Sequence, residues 1–277
     1  MTEPALRFGY ADTALGQLHY AEAGEGAPVL LLHQTPRSWD EFREVLPLLA
    51  KRRRAIAMDM YGFGLSAKPA PGTPQTIEQY ASGAVALADA LGLDRFAVVG
   101  HHTGAFVATE VAAAVPGRVL AAVISAGGYN DAASRTAAAS ADRVSHGVDV
   151  APVQEDGGHL QVLWGTRYPL YPKGRPDILD RYIRDALAWG VDPAEGHAAC
   201  GRYRMEERVD LVTAPLLLLS PTADPASYPH AGKLAAAFPN AQSVKLVEIE
   251  GGMIPLMEQK PAEVAAAVES FLDSVGA

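Results

Sequence analysis

At 277 residues, 49% of them hydrophobic and 20% charged, the chain is sized for one α/β core carrying an insertion and can bury a large interior. Lys plus Arg number 23 against 32 for Asp plus Glu, a formal net charge of −9, which argues against a nucleic-acid partner. No apolar run reaches the roughly 18 residues that span a bilayer, and Met1-Thr2-Glu3-Pro4 lacks the basic-then-apolar opening of a signal peptide, so a soluble, cytoplasmic protein with no membrane partner is expected. The one cysteine, Cys200, excludes an internal disulfide and a thiolate-rich metal site, and its alanine neighbours give it the character of a buried spacer.

Two short segments, Leu6 to Tyr10 and Gln17 to Ala21, are separated by Gly16 and closed by Gly24-Glu25-Gly26, the pattern of an antiparallel hairpin at a sheet edge. Pro28-Val29-Leu30-Leu31-Leu32-His33 is a continuous apolar run, as in a strand buried on both faces of a parallel sheet. After the turn Gln34-Thr35-Pro36, an amphipathic helix is expected from Trp39 to Ala50 and a strand from Arg54 to Asp59. A Pro-rich loop leads to a helix from Thr76 to Leu91, and strands follow at Phe96 to Val99 and Arg118 to Ser125. This alternation predicts an α/β fold with a parallel, doubly wound sheet. Gly62-Phe63-Gly64 lacks the third glycine of a dinucleotide fingerprint, and no cofactor is expected.

The stretch from Phe96 to Ala105 organises the rest. Four apolar residues run into Gly100, then His101, His102 and Thr103, and Gly104 opens an alanine-rich helix that continues through Ala114. This is the layout of a sharp strand-to-helix turn, in which glycines make room for a strained residue at the tip. It resembles the nucleophile elbow of the α/β-hydrolases, G-x-Nuc-x-G, with His102 at the tip.

A wider resemblance supports this one. His33-Gln34-Thr35-Pro36, Ser38-Trp39 and the run from Asp59 to Ser66 resemble the branch of that superfamily holding epoxide hydrolases and haloacid or haloalkane dehalogenases. The resemblance implies the α/β-hydrolase fold, a mostly parallel eight-stranded sheet flanked by helices. It implies a core of residues 1–130 and 209–277, with a helical cap inserted at 131–208. It also implies a nucleophile, an acid and a histidine at three loops. The acid falls on Asp224, after the strand Pro215 to Ser220; the histidine position, after the strand Val244 to Ile249, holds Met253.

With serine and histidine both absent, ordinary Ser-His-Asp chemistry is not expected. Imidazole attack on an alkyl carbon would leave a stable N-alkyl histidine, so dehalogenase or epoxide chemistry at this elbow would stop after one turnover. Two routes remain to His102: acceptance of an acyl group as a labile acyl-imidazole, or general base catalysis, with Asp224 orienting the ring. The resemblance places an oxyanion hole at the Thr35 and Thr103 amides, with Gln34 where the family has glycine and able to offer its own amide to the pocket.

The cap is expected to supply specificity, with helices at Ala132 to Ala141, Pro176 to Trp189 and Pro193 to Arg204. His159 and Trp164 are its pocket candidates; Gln34, His101 and Met253 are those of the core. Arg167, Tyr168, Arg202, Tyr203 and Arg204 offer carboxylate binding or solvated surface, and His19, His146, His197 and His230 are assigned to surface or loop. No metal is expected, for His33, His101, His102 and Asp224 follow no known ligand spacing. The partner expected is a small molecule, with a homo-oligomer left open. Three functions stand side by side: an enzyme using His102 with Asp224, either hydrolysing an activated acyl bond or acting as a cofactor-free lyase by proton transfer; a catalytically silent binding protein; and a conventional serine hydrolase using another residue such as Ser125 or Ser220.

Overall fold

The computed structural model describes residues 4–140 and 149–277, the side chains of 137–140 excepted; Ala141 and His146 lie outside the described residues. Eight strands are formed: β1 (Arg7–Thr13), β2 (Gly16–Ala23), β3 (Pro28–Leu32), β4 (Arg54–Met58), β5 (Phe96–His101), β6 (Val119–Ser125), β7 (Leu216–Pro221) and β8 (Val244–Ile249). They make one sheet in the order β1-β2-β4-β3-β5-β6-β7-β8, in which only β2 runs antiparallel to its neighbours. The helices are α1 (Leu46–Leu49), α2 (Ile77–Ala90), α3 (Thr103–Ala114), α4 (Ala132–Ser140), α5 (Gly158–Arg167), α6 (Pro176–Ala186), α7 (Glu195–Arg202), α8 (Ala231–Ala235), α9 (Leu256–Gln259) and α10 (Pro261–Val275).

Alternation along the central strands divides the interior into two layers. Leu30, Leu32, Val98 and Ile124 pack with α2 and α3 on one face. Val29, Leu31, Val99 and Val123 pack with α1 and α10 on the other. Because both faces are covered, the strands read as continuous apolar runs, and the helical crossovers deliver every parallel strand's C-terminal end to the same edge of the sheet. Gly100 pairs with Leu32 and Ile124, His101 with Ser125, and Ser125 with Leu219, so the loops after β3, β5, β6 and β7 emerge side by side.

Several local expectations differ from the structure. The helix expected from Trp39 to Ala50 is two pieces, a 3-10 turn at Trp39–Phe42 and α1, because Pro47 has no N–H to continue a ladder through it. Tyr228–His230 forms a 3-10 turn that leads into the short α8. Residues 158–167, where no helix is expected from the sequence, form α5, with Gly157 supplying a left-handed residue at its start (φ 80°).

The helices between β6 and β7 are fixed to the core by buried charges. Arg37, fully buried, donates to Asp185 Oδ2 on α6 (2.9 Å) and to Glu258 Oε1 on α9 (2.7 Å), while Arg181 Nε donates to Asp40 Oδ2 (2.6 Å). Removing one partner would strand the others uncompensated in the interior, so this network locks α6 in one position.

Candidate active site

The site is built on the turn between β5 and α3. His102 sits there with φ 48° and ψ −109°, a conformation that side chains other than glycine rarely adopt. The turn holds because its amides are used: His102 N–H donates to Ser125 O (3.0 Å) and Ala105 N–H to His102 O (2.9 Å). It also leaves no room for side chains at its flanks. A Cβ on residue 100 would lie 1.9 Å from Gly104 O, and one on residue 104 would lie 1.9 Å from Leu32 O. Both obstacles are backbone, so Gly100→Ala is expected to destabilise the protein by about 3 kcal/mol or more, measured by denaturant unfolding. An unfolding midpoint equal to wild type would show that the turn is looser than described.

The turn after β7 brings Asp224 to this residue. Asp224 is fully buried, and its Oδ2 lies 2.9 Å from His102 Nε2. Ala226 N–H (2.9 Å) and Ser227 N–H (3.4 Å) donate to Oδ1, and Ser227 Oγ donates to Oδ2 (2.5 Å). Burial works against the charged carboxyl, but the His102 contact, Ser227 and the Ala226 amide outweigh it and hold Asp224 well below the usual carboxylate range. The approach of Nε2 to the carboxylate is close, but its angle falls outside that of a well-formed hydrogen bond. With Nε2 against the carboxylate, Nδ1 is the ring nitrogen without a protein partner among the described residues, and in the neutral ring it carries the lone pair.

Beneath the tip, His101 is a structural residue. Its Nε2 lies 2.8 Å from Ile254 O and so donates, which leaves Nδ1 to accept from Ser125 Oγ at 3.0 Å. Burial, then the neighbouring His102, push its pKa down to about 3, so it stays neutral. Ser125 is fully buried and spent on this bond, which removes it as a substitute nucleophile.

A cavity of about 400 Å3 opens over His102. Gln34, Thr35 and Thr103 of the core line it, with Arg167, His197 and Cys200 of the inserted helices opposite. The Thr103 amide is at the first turn of α3 and has no carbonyl of its own helix to bind, and the Thr35 amide makes no hydrogen bond among the described residues. Thr35 is pinned on its N-terminal side, where Gln34 N–H and Nε2 both donate to Glu41, at 2.8 and 2.5 Å. The Gln34 amide nitrogen is therefore committed to Glu41, and what it brings to the cavity is bulk and its carbonyl. Thr35 Oγ1 is buried without a partner, closely covered by Gly196 of α7.

Three residues expected in the pocket lie away from this cavity, and His101 lies under its floor. His159, in the first turn of α5, accepts on Nδ1 from Gln154 N–H at 3.2 Å. Trp164 faces a separate hollow beside Tyr168, Tyr171 and Leu179, because the helical rotation of α5 that brings Arg167 to the cavity carries residue 164 elsewhere. Met253 is replaced at the wall by its neighbour Ile254, since the bond from His101 to the Ile254 carbonyl pulls that residue inward. Cys200, expected as a buried spacer, is half-buried in the wall with Sγ 3.6 Å from Thr103 Oγ1. Burial raises its thiol to about 12, so it remains protonated. His197 and His230, assigned to surface or loop, both reach the cavity. By contrast, His19 is buried beside Asp59 (2.9 Å), and His33 Nε2 accepts from Met60 N–H (2.9 Å); both are structural. Among the described residues no group of three or more metal-binding side chains is found.

Residues 27–145 match the alpha/beta hydrolase fold family. A soluble epoxide hydrolase of Corynebacterium sp. (strain C12) is 41% identical over 92 residues, 33% of this chain and 32% of that protein. Haloalkane dehalogenase 2 of Mycobacterium bovis is 34% identical over 113 residues, 41% of this chain and 39% of that protein. The chain has the α/β-hydrolase fold. Its sequence likeness lies with the epoxide hydrolase and dehalogenase branch, but it spans well under half the length of those curated relatives. The fold likeness covers the whole chain: a hydrolase from Pseudomonas aeruginosa PA01 superposes with a TM-score of 0.76 over 96% of this chain and 98% of that one, at 20% identity.

Proposed function

We propose that this α/β-hydrolase-fold protein is an enzyme that cleaves an activated acyl bond of a small organic substrate, with His102 as general base and Asp224 as its orienting carboxylate. The observation that carries the reading is the 2.9 Å approach of His102 Nε2 to a buried, charged Asp224, which directs the Nδ1 lone pair away from the carboxylate. Nδ1 takes a proton from water as the water adds to the substrate carbonyl, and Asp224 stabilises the imidazolium that forms. The oxygen that becomes negative is received by the Thr35 and Thr103 amides, which would serve as its oxyanion hole. Collapse expels the leaving group, which takes the proton back from Nδ1. The helices between β6 and β7 act as the cap that closes this chamber.

A second reading, direct attack by His102, is favoured by its place at the elbow tip, where the superfamily keeps its nucleophile. The other candidates nearby are spent, Cys200 as a thiol and Ser125 on His101. A panel of activated esters, thioesters and lactones, with the intact protein mass recorded during turnover, separates the two. Turnover with no added mass is expected for the base; a transient acyl adduct on His102 identifies the nucleophile. Absence of turnover across the panel and across β-diketones, with ligands still raising the melting temperature, would replace both readings by a binding protein.

A further inference from the structure

The wall of the cavity has a charge pattern that its surroundings do not share. The chain carries a formal net charge of −9, yet no carboxylate lines the cavity among the described residues. Among the described residues the one permanently charged side chain lining it is Arg167, accompanied by the imidazoles of His102, His197 and His230. The nearest acids are set behind these groups, Asp224 behind His102 and Asp149 behind Arg167 and His197.

Arg167 is held in a way that leaves one face for a ligand. It ends α5 and is 5% exposed. Its Nε donates to Asp149 Oδ1 (2.7 Å) and lies 2.9 Å from Tyr182 OH, and its Nη2 also donates to Asp149. Nη1 has no acceptor among the described residues. Asp149 is itself buried and also receives Tyr182 OH and His197 Nε2. His197 Nε2 lies against that carboxylate, and its Nδ1 has no partner among the described residues. Asp149, Tyr182 and the packing of α5 thus hold the guanidinium rigid, so that its remaining N–H groups are pre-aimed.

We propose that the substrate of this cavity carries a carboxylate, bound by Arg167 Nη1 beside His197, while its reacting carbonyl lies over His102. A carboxylate suits this wall better than a phosphate dianion, because Asp149 already offsets part of the single guanidinium charge. A cavity of about 400 Å3 limits the ligand to a compact molecule. The proposal rests on the reading of this cavity as the substrate site, but it is tested by binding and so can fail or stand independently of turnover.

The experiment is calorimetric titration of the full-length protein with a series of monocarboxylates, acetate through octanoate together with benzoate and phenylacetate, each paired with its primary amide. Wild type and His102→Ala are both expected to bind at least one acid at least about tenfold more tightly than its amide. Arg167→Lys, which keeps the charge but loses the planar fork, and Arg167→Gln are expected to lose most of that preference, and His197→Gln part of it. Should Arg167→Gln fail to fold around Asp149, the acid and amide pairs on the wild-type protein and on Arg167→Lys still decide. Equal affinity for acids and amides, an acid preference unchanged in the Arg167 variants, or no acid bound at millimolar concentration would each overturn the proposal.

Discussion

His102→Ala is expected to lower kcat by about a thousandfold or more on any substrate the wild-type protein turns over. The size follows from the lack of a second base. Where the resemblance to the α/β-hydrolases implies a histidine in the last loop this chain has Met253, and the wall beside it is formed by Ile254. Two of the nearby imidazoles are poorly placed to substitute. His101 is neutral, buried and bonded at both nitrogens, and His197 is turned to Asp149. The variant should still fold, because alanine meets the same backbone strain as histidine at φ 48° and Asp224 keeps its donors from Ala226 and Ser227. Steady-state rates with a melting temperature close to wild type check this; a rate within tenfold of wild type would place the chemistry elsewhere.

Asp224→Asn is expected to cost about a hundredfold to ten-thousandfold in kcat with a smaller change in KM. Asparagine is nearly isosteric and can accept the Ala226 and Ser227 amides through its carbonyl oxygen. Its NH2 group would then face His102 Nε2, and two donors cannot share that contact. The ring must change tautomer so that Nε2 accepts, which moves the proton to Nδ1 and removes the lone pair that the reaction uses. The folded protein should tolerate the change, so loss of rate with a preserved unfolding midpoint is the outcome to look for. Retained activity in Asp224→Asn would mean that the carboxylate only supports the turn at Ala226 and Ser227.

What could be read from the residues was whatever depends on backbone geometry. Continuous apolar runs mark strands covered on both faces, and the Gly100 and Gly104 positions mark a turn that no side chain can flank, so both the sheet and its elbow were legible. The meeting of His102 with Asp224 could be expected because each lies at the end of its own parallel strand, and parallel strands end at one edge. The opposite wall was much less legible. Asp149, Arg167, Tyr182 and His197 are spread over 49 residues of sequence and meet only through the packing of α5, α6 and α7, which leaves no local spacing to find. The same limit applies to Trp164 and His159, whose chemistry suits a pocket but whose direction depends on the rotation of α5. Gln34 shows the other kind of difference: its amide was available in principle, but Glu41, seven residues on, claims it.

The most direct test of the central claim is the turnover of His102→Ala with and without added imidazole. Truncation at residue 102 leaves a space bordered by Asp224, Thr35 and Thr103 that matches the lost ring. The account predicts near-background turnover without imidazole and a rate that rises and saturates as imidazole fills that space, with Asp224→Asn in the same background weakening the rescue. Turnover by His102→Ala at the wild-type rate in the absence of imidazole would contradict it.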